Sequence, residues 1–171
     1  NPARFEMVTT NCVTGHPCYL EEKEDKERII AIAKASSSLP YVCPITYVDG
    51  IPMLDGGIVD SIPVLRAMQQ GYSRNIVVLT RNKGFRKSEK DIRVPYFIYK
   101  RYPRLRVVLS RRCRVYNQQL ELVEQLEEAG KILVIRPEKP MQVTRMEKDT
   151  GRLYDLYNEG YSCAGNICAQ L

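Results

Sequence analysis

Hydrophobic and polar positions alternate along residues 5–11 (FEMVTTN), which predicts a strand. Gly15-His16-Pro17 then marks a turn. Residues 21–34 open with acidic side chains and go on to place Ile29, Ile30, Ile32 and Ala33 on one stripe, predicting a helix. Ser36-Ser37-Ser38 and Pro40 stop it. Residues 42–48 predict a strand, Asp49-Gly50 a hairpin-type turn, and residues 51–54 lead into Asp55-Gly56-Gly57. A short helix follows, with Asp60 or Ser61 as its cap, Pro63 in its first turn and Gly71 just past its end. Residues 75–80 (NIVVLT) predict a buried strand and residues 81–90 a basic loop. Residues 94–114 predict a helical region interrupted by Pro103, and residues 115–129 a helix ended by Gly130. Residues 131–135 predict a strand, and residues 150–168 a terminal helix with Leu153, Leu156, Tyr157, Tyr161, Ala164 and Ile167 at helical spacing.

Strands separated by helices imply crossover connections and parallel pairing. The expected fold class is therefore α/β: a three-layer sandwich around a mainly parallel central sheet. In such sheets ligands sit at the carboxyl ends of the strands, so the loops after Asn11, Leu54, Thr80 and Ile135 are the places for chemistry. No repeat or composition break divides the chain.

Composition narrows the class. With 44% hydrophobic and 27% charged residues in 171, the chain has the make-up of a globular domain and not of a disordered one. No apolar run approaches the roughly 18–20 residues of a membrane-spanning helix. Six cysteines, at 12, 18, 43, 113, 163 and 168, include no C-x-x-C pair, and His16 is the one histidine, so no zinc pattern is present. The even count permits disulfides, but a chain of this size can bury a core without them. Reduced, mostly buried thiols in a cytoplasmic protein are the expectation. The chain opens on Asn1 with neither initiator Met nor leader, as if cut from something longer.

The most informative segment is residues 51–64, IPMLDGGIVDSIPV. Two glycines directly after Asp55 allow tight backbone geometry and close approach of another group. A carboxylate held at a strand end by such a turn is placed to accept a proton. Asp-Gly is also a common turn in which the aspartate bonds only its own backbone, and the dipeptide by itself leaves both readings open.

The wider context supplies a resemblance. Ala35-Ser36-Ser37-Ser38-Leu39-Pro40, then Leu54-Asp55-Gly56-Gly57, then Pro63, resembles the second signature of the patatin-like phospholipases. In that family an A-S-x-x-x-P segment precedes D-G-[GA] and an N-x-P-like helix start; here Ser61 stands at the usual Asn. Thr9-Thr10-Asn11 followed by Thr14-Gly15-His16-Pro17-Cys18-Tyr19 looks like the strand and T-G-x-P-x-Y turn found upstream. Residues 135–140 and the terminal helix look like the bacterial branch of the family. The resemblance implies a lipid acyl hydrolase with a Ser-Asp dyad: a serine on a G-x-S-x-G turn attacks the ester, Asp55 takes its proton, Gly56 and Gly57 shape the aspartate turn, and a Gly-rich loop binds the oxyanion. No cofactor and no metal are expected. A single histidine is consistent with a dyad.

Within these residues the other half is missing. None of the serines, at 36, 37, 38, 61, 73, 88, 110 and 162, lies in G-x-S-x-G, and Gly56-Gly57 is the one glycine pair. Ser37, in a Ser-rich helix end, has no glycine turn to expose it. In the family both missing elements lie N-terminal to the matched region. Residues 1–171 are thus expected to be the C-terminal portion of a single patatin-like acyl hydrolase domain, with residues 141–171 as a helical extension, and to be inactive alone. A domain lacking its first strands would expose a sheet edge, predicting association or a retained N-terminal fragment.

Charge adds one more feature. Basic residues outnumber acidic ones 26 to 20, and residues 99–114 (YKRYPRLRVVLSRRCR) hold seven of them: Lys100, Arg101, Arg104, Arg106, Arg111, Arg112 and Arg114. Three readings stand. The stripe is a solvated face paired with the acidic stretch 121–128, or it meets anionic lipid headgroups, or it binds nucleic acid. No nucleic-acid module accompanies it, so no nucleic-acid partner is expected. A lipid ester substrate and an anionic membrane surface are the expected partners of a cytoplasmic, membrane-peripheral protein. The alternative function is a non-catalytic α/β module that binds anionic lipid or nucleic acid through this stripe. His16 is expected as an exposed loop residue, and Tyr154, Tyr157 and Tyr161 as core and rim packing. Arg81 and Asn82, after a strand end, could reach the cleft.

Overall fold

The computed structural model describes residues 3–88, 94–143 and 147–168. In order they form β1 (Glu6–Asn11), β2 (Pro17–Glu21), α1 (Lys26–Ser36), β3 (Thr46–Val48), β4 (Ile51–Asp55), a single 3₁₀ turn (Gly56–Ile58), α2 (Val64–Gln69), β5 (Asn75–Val78), α3 (Pro103–Glu128), β6 (Ile132–Ile135) and α4 (Thr150–Cys168). Two compact units result, one from Asn1–Pro63 with Lys87–Gln119, the other from Val64–Arg86 with Leu120–Leu171.

The first unit holds a four-stranded sheet in the order β2-β1-β4-β3, and every pairing in it is antiparallel. The turns dictate this. Asp49 and Gly50, at φ 51° and 75°, make the two-residue left-handed turn that joins β3 to β4 as a tight hairpin. At the β1–β2 corner, Asn11 Oδ1 accepts from the Val13 and Thr14 amides at 2.9 and 3.0 Å, and Gly15 takes φ 71°. The mainly parallel sheet expected from strand–helix alternation is therefore corrected: short hairpins, not crossovers, join these strands. Among the described residues the one parallel pair, β5 with β6, is in the second unit.

Consecutive residues of β4 face opposite sides of the sheet. Met53 packs with Met7, Ile32, Ala35 and Val48, a cluster that uses α1. Leu54 packs with Cys12, Ile58, Leu105 and Leu109, a cluster that uses the first turns of α3. Both faces of β4 are thus sealed, which explains an unbroken run of buried residues from Pro52 to Leu54.

Other boundaries shift for local reasons. The helix expected from residue 21 starts at Lys26, because Asp25 Oδ1 caps it through the Glu27 and Arg28 amides at 3.0 and 3.1 Å. Pro17–Glu21 pair with β1 as β2, a strand that was not expected and that overlaps the predicted helix only at Glu21. On α1, Ile32 and Ala35 are buried while Ile30 is 53% exposed, so the apolar stripe lies slightly off the expected one. The strand expected over residues 42–48 shrinks to Thr46–Val48. The two helices expected around Pro103 and Val115 are one 26-residue helix, with Pro103 as its first residue, where a missing amide costs nothing.

In the second unit, α2 and α3 both end in Gly-terminated caps. The Tyr72 amide reaches Ala67 O at 3.2 Å past Gly71, and the Lys131 amide reaches Leu126 O at 2.9 Å past Gly130. Asp149 caps α4 through the Gly151 and Arg152 amides. In β5, Val77 is buried while Ile76 and Val78 are exposed, so the strand is half-buried and not buried throughout. Tyr154, Tyr157 and Tyr161 on α4 are all exposed, not packed as expected, and stack on one another with ring centroids 6.3 and 6.4 Å apart. Among the described cysteines all are free, and of these Cys12 alone is buried.

Candidate active site

Asp55 closes β4 and opens the 3₁₀ turn. Its backbone is held from two sides: its amide donates to Ser38 O at 3.0 Å, and the Thr10 hydroxyl donates to its carbonyl at 2.8 Å. The residue is half-buried, and its Oδ1 accepts the Gly57 amide at 2.7 Å in an exposed bond. Among the described residues no group bonds Oδ2. One oxygen orients the carboxylate, and such an arrangement leaves the other able to accept a further hydrogen bond.

The glycines have separate tasks. A Cβ on Gly56 would lie 2.3 Å from Val8 O, so the turn can press against β1 only with hydrogen at that position. Gly57 is exposed, and a Cβ there would come 3.0 Å from Asp55 Oδ1, touching the carboxylate instead of the fold. Asp55, Gly56 and Gly57 form one tight turn between β4 and the 3₁₀ segment.

The chain beyond the turn is clamped. The Ser61 hydroxyl donates to Gly57 O at 2.8 Å. Gln119 Oε1 accepts the Ser61 and Ile62 amides at 3.1 and 3.3 Å, and its Nε2 donates to Asp60 Oδ1 at 2.6 Å. The Tyr19 hydroxyl donates to Asp60 Oδ2 at 2.5 Å. Asp60 and Ser61, expected to cap α2, bond here instead. Ser38, Thr10, Asp60 and Gln119 were not recognised as part of the site. Tyr19 had a signal, its place in T-G-x-P-x-Y; Gln119, in the middle of a helix, had none.

Other candidates lie apart from this arrangement. The Ser37 hydroxyl donates to Ala33 O at 2.7 Å at the end of α1. Ser36 bonds Val8 O, and Ser38 bonds Lys34 O. No serine hydroxyl bonds the Asp55 carboxylate among the described residues. His16 is exposed. The loops after Asn11 and Leu54 were expected at one end of the sheet, but antiparallel pairing sets Thr9 opposite Asp55 and Asn11 opposite Met53, so those strand ends point in opposite directions. Arg81 stacks over Phe85 at 4.8 Å, and Asn82 bonds Lys83 O. Among the described residues no three His, Cys, Asp or Glu side chains gather as a metal site requires. No described helix is long and apolar enough to cross a membrane.

The basic stripe also resolves. It forms the loop before α3 and that helix's first half, while Glu124, Glu127 and Glu128 occupy the second half. The acidic residues pair with Arg86, Arg136 and Lys83 instead of with the stripe. The Arg86 guanidinium holds the Glu124 carboxyl below its usual range. The pairing with residues 121–128 that the solvated-face reading expected is thus not formed among the described residues, while Lys100, Arg101 and Arg104 are exposed.

Two family models match the chain. Residues 14–68, which include the Tyr19 turn and Asp55-Gly56-Gly57, match Patatin-like phospholipase. Residues 102–171 match a Domain of unknown function (DUF6363). No curated protein matches the chain.

Proposed function

We propose that this chain supplies the proton-accepting half of a serine acyl hydrolase that cleaves lipid esters, with Asp55 as general base. The observation that carries the reading is the carboxylate itself, with Oδ1 fixed by the Gly57 amide at 2.7 Å and Oδ2 unbonded among the described residues. The family match over residues 14–68 supports the lipid-ester class.

No G-x-S-x-G lies within the 171 residues, so the reading places the nucleophile and the oxyanion loop on chain that precedes Asn1, and residues 1–171 form the C-terminal portion of the domain. The serine hydroxyl gives its proton to Asp55 as its oxygen bonds to the ester carbonyl carbon, and the carbonyl electron pair moves onto oxygen. Backbone amides of the glycine loop stabilise that oxyanion, each worth about 10²–10³ in rate. Collapse expels the alcohol, which takes the proton from Asp55. Water then attacks the acyl-serine, loses a proton to Asp55, and the serine regains it as the acid leaves.

The whole encoded protein should hydrolyse a short p-nitrophenyl ester, and Asp55→Ala should abolish turnover while leaving the protein folded. Full activity in that variant would remove Asp55 as the base and leave it a turn residue. Esterase turnover by residues 1–171 alone would overturn the division of the site.

A further inference from the structure

We infer that the first unit carries a docking surface for an anionic lipid bilayer, built from residues 39–43, residues 94–101 and the first turns of α3. Charge is the first argument. From Val94 to Leu120 the chain has seven basic side chains and no acidic one, which accounts for its net positive charge; elsewhere basic and acidic residues nearly balance. Among the described residues none of the seven forms an ion pair, and Lys100, Arg101 and Arg104 are exposed.

The second argument is the apolar surface beside those cations. Phe97 is 77% exposed, Tyr96 65% and Val42 78%, with Leu39 and Tyr41 also open. These exposed apolar groups lie on two stretches joined by the Tyr41–Tyr99 contact and next in sequence to Lys100 and Arg101, a combination that marks an interaction surface. Bulky tips that enter the headgroup and acyl boundary, flanked by Lys and Arg, are the composition of an interfacial anchor. Leu39 and Val42 offer nothing to a phosphodiester chain, which sets a bilayer above a nucleic acid.

The third is rigidity. The Tyr41 amide donates to the Tyr99 hydroxyl oxygen at 2.8 Å, and the two rings lie 5.8 Å apart, joining the two loops. Arg106 sits over the Tyr96 ring at 5.1 Å and donates to Val94 O at 3.2 Å. A loop held this way loses little freedom on docking. The surface also adjoins the candidate site, since Leu39 follows Ser38, whose carbonyl holds the Asp55 amide.

This deepens the lipid-ester reading by naming where the substrate phase is met, but it is tested without turnover, so the two can fail separately. The whole encoded protein, as its Asp55→Ala variant so that the lipid is not consumed, is sedimented with vesicles of phosphatidylcholine alone or of equal parts phosphatidylcholine and phosphatidylglycerol, at low and high salt. Binding is expected to the anionic vesicles, weakening with salt. Lys100→Gln, Arg101→Gln and Arg104→Gln together should weaken it about a hundredfold, roughly fivefold per charge. Phe97→Ser should weaken it at both salt concentrations. Equal binding to both vesicle types, no binding to either, binding indifferent to the triple variant, or a duplex or single-stranded oligonucleotide that displaces the vesicles would each overturn the inference. Should Phe97→Ser unfold, the charge variant and the salt series still decide.

Discussion

The Tyr19 hydroxyl and the Asp60 carboxylate are joined at 2.5 Å, and that bond ties β2 to the chain segment just beyond the aspartate turn. Gln119 completes the clamp from α3. Tyr19→Phe leaves a carboxylate one donor short. The expected cost is about 1–2 kcal/mol in urea unfolding, with faster amide exchange at Ser61 and Ile62. Unchanged exchange at those two amides would show that the segment holds its place without Tyr19.

Adjacent glycines should respond oppositely to the same substitution. Gly56→Ala drives a methyl into the Val8 carbonyl, a backbone atom that cannot step aside. A loss of about 3 kcal/mol or more is expected, visible as a fall in Tm. Gly57→Ala meets side chains and no backbone, Asp55 Oδ1 at 3.0 Å and Ser61 Oγ at 3.5 Å, so Tm should stay nearly constant while ester hydrolysis by the whole protein falls. Equal Tm losses would mean that the turn moves as one body.

Burial pushes the Cys12 thiol up to about 12, which leaves almost no thiolate at pH 8. Iodoacetamide should therefore spare Cys12 in the folded protein and modify it once denaturant is added. Peptide mass mapping distinguishes the cysteines, and prompt alkylation of native Cys12 would contradict its burial.

Acid stability has a predicted window. The Glu24 and Lys23 amides and the Arg28 guanidinium hold the Glu22 carboxyl at about 2, below its ordinary 4.5. Arg28 also lowers Asp49. A carboxyl depressed by folding stabilises fully above its unfolded value and loses that contribution as pH falls through its folded one. Glu22→Gln should lower Tm at pH 6, and the gap from the parent should close between pH 4.5 and 2. A gap independent of pH would mean the charge is immaterial.

The elements most legible in the sequence were those marked by local chemistry. The α4 helix lies over the expected residues, and the Asp49-Gly50 turn is the hairpin that its dipeptide predicts. Sheet direction was misread because strand–helix alternation says nothing of where a returning chain docks. The α1 helix carries the chain from β2 at one edge of the sheet to β3 at the other, a route no local pattern encodes. At the site, Asp55 and its glycines were readable because a tight turn needs those residue types. The partners that fix them, Ser38 O, Thr10 and Gln119, come from distant positions and act partly through backbone atoms common to all residues.

The register of the four-stranded sheet bears on how the protein reaches its working state. β1 with β2, and β3 with β4, are neighbours in sequence and can zip early as separate hairpins. The ladder between β1 and β4, Thr9 with Asp55, Thr10 with Leu54 and Asn11 with Met53, instead closes a long loop. Asp55 therefore takes its position only when that entropically costly closure is made, so a collapsed state containing both hairpins would be compact and still lack the fixed aspartate turn.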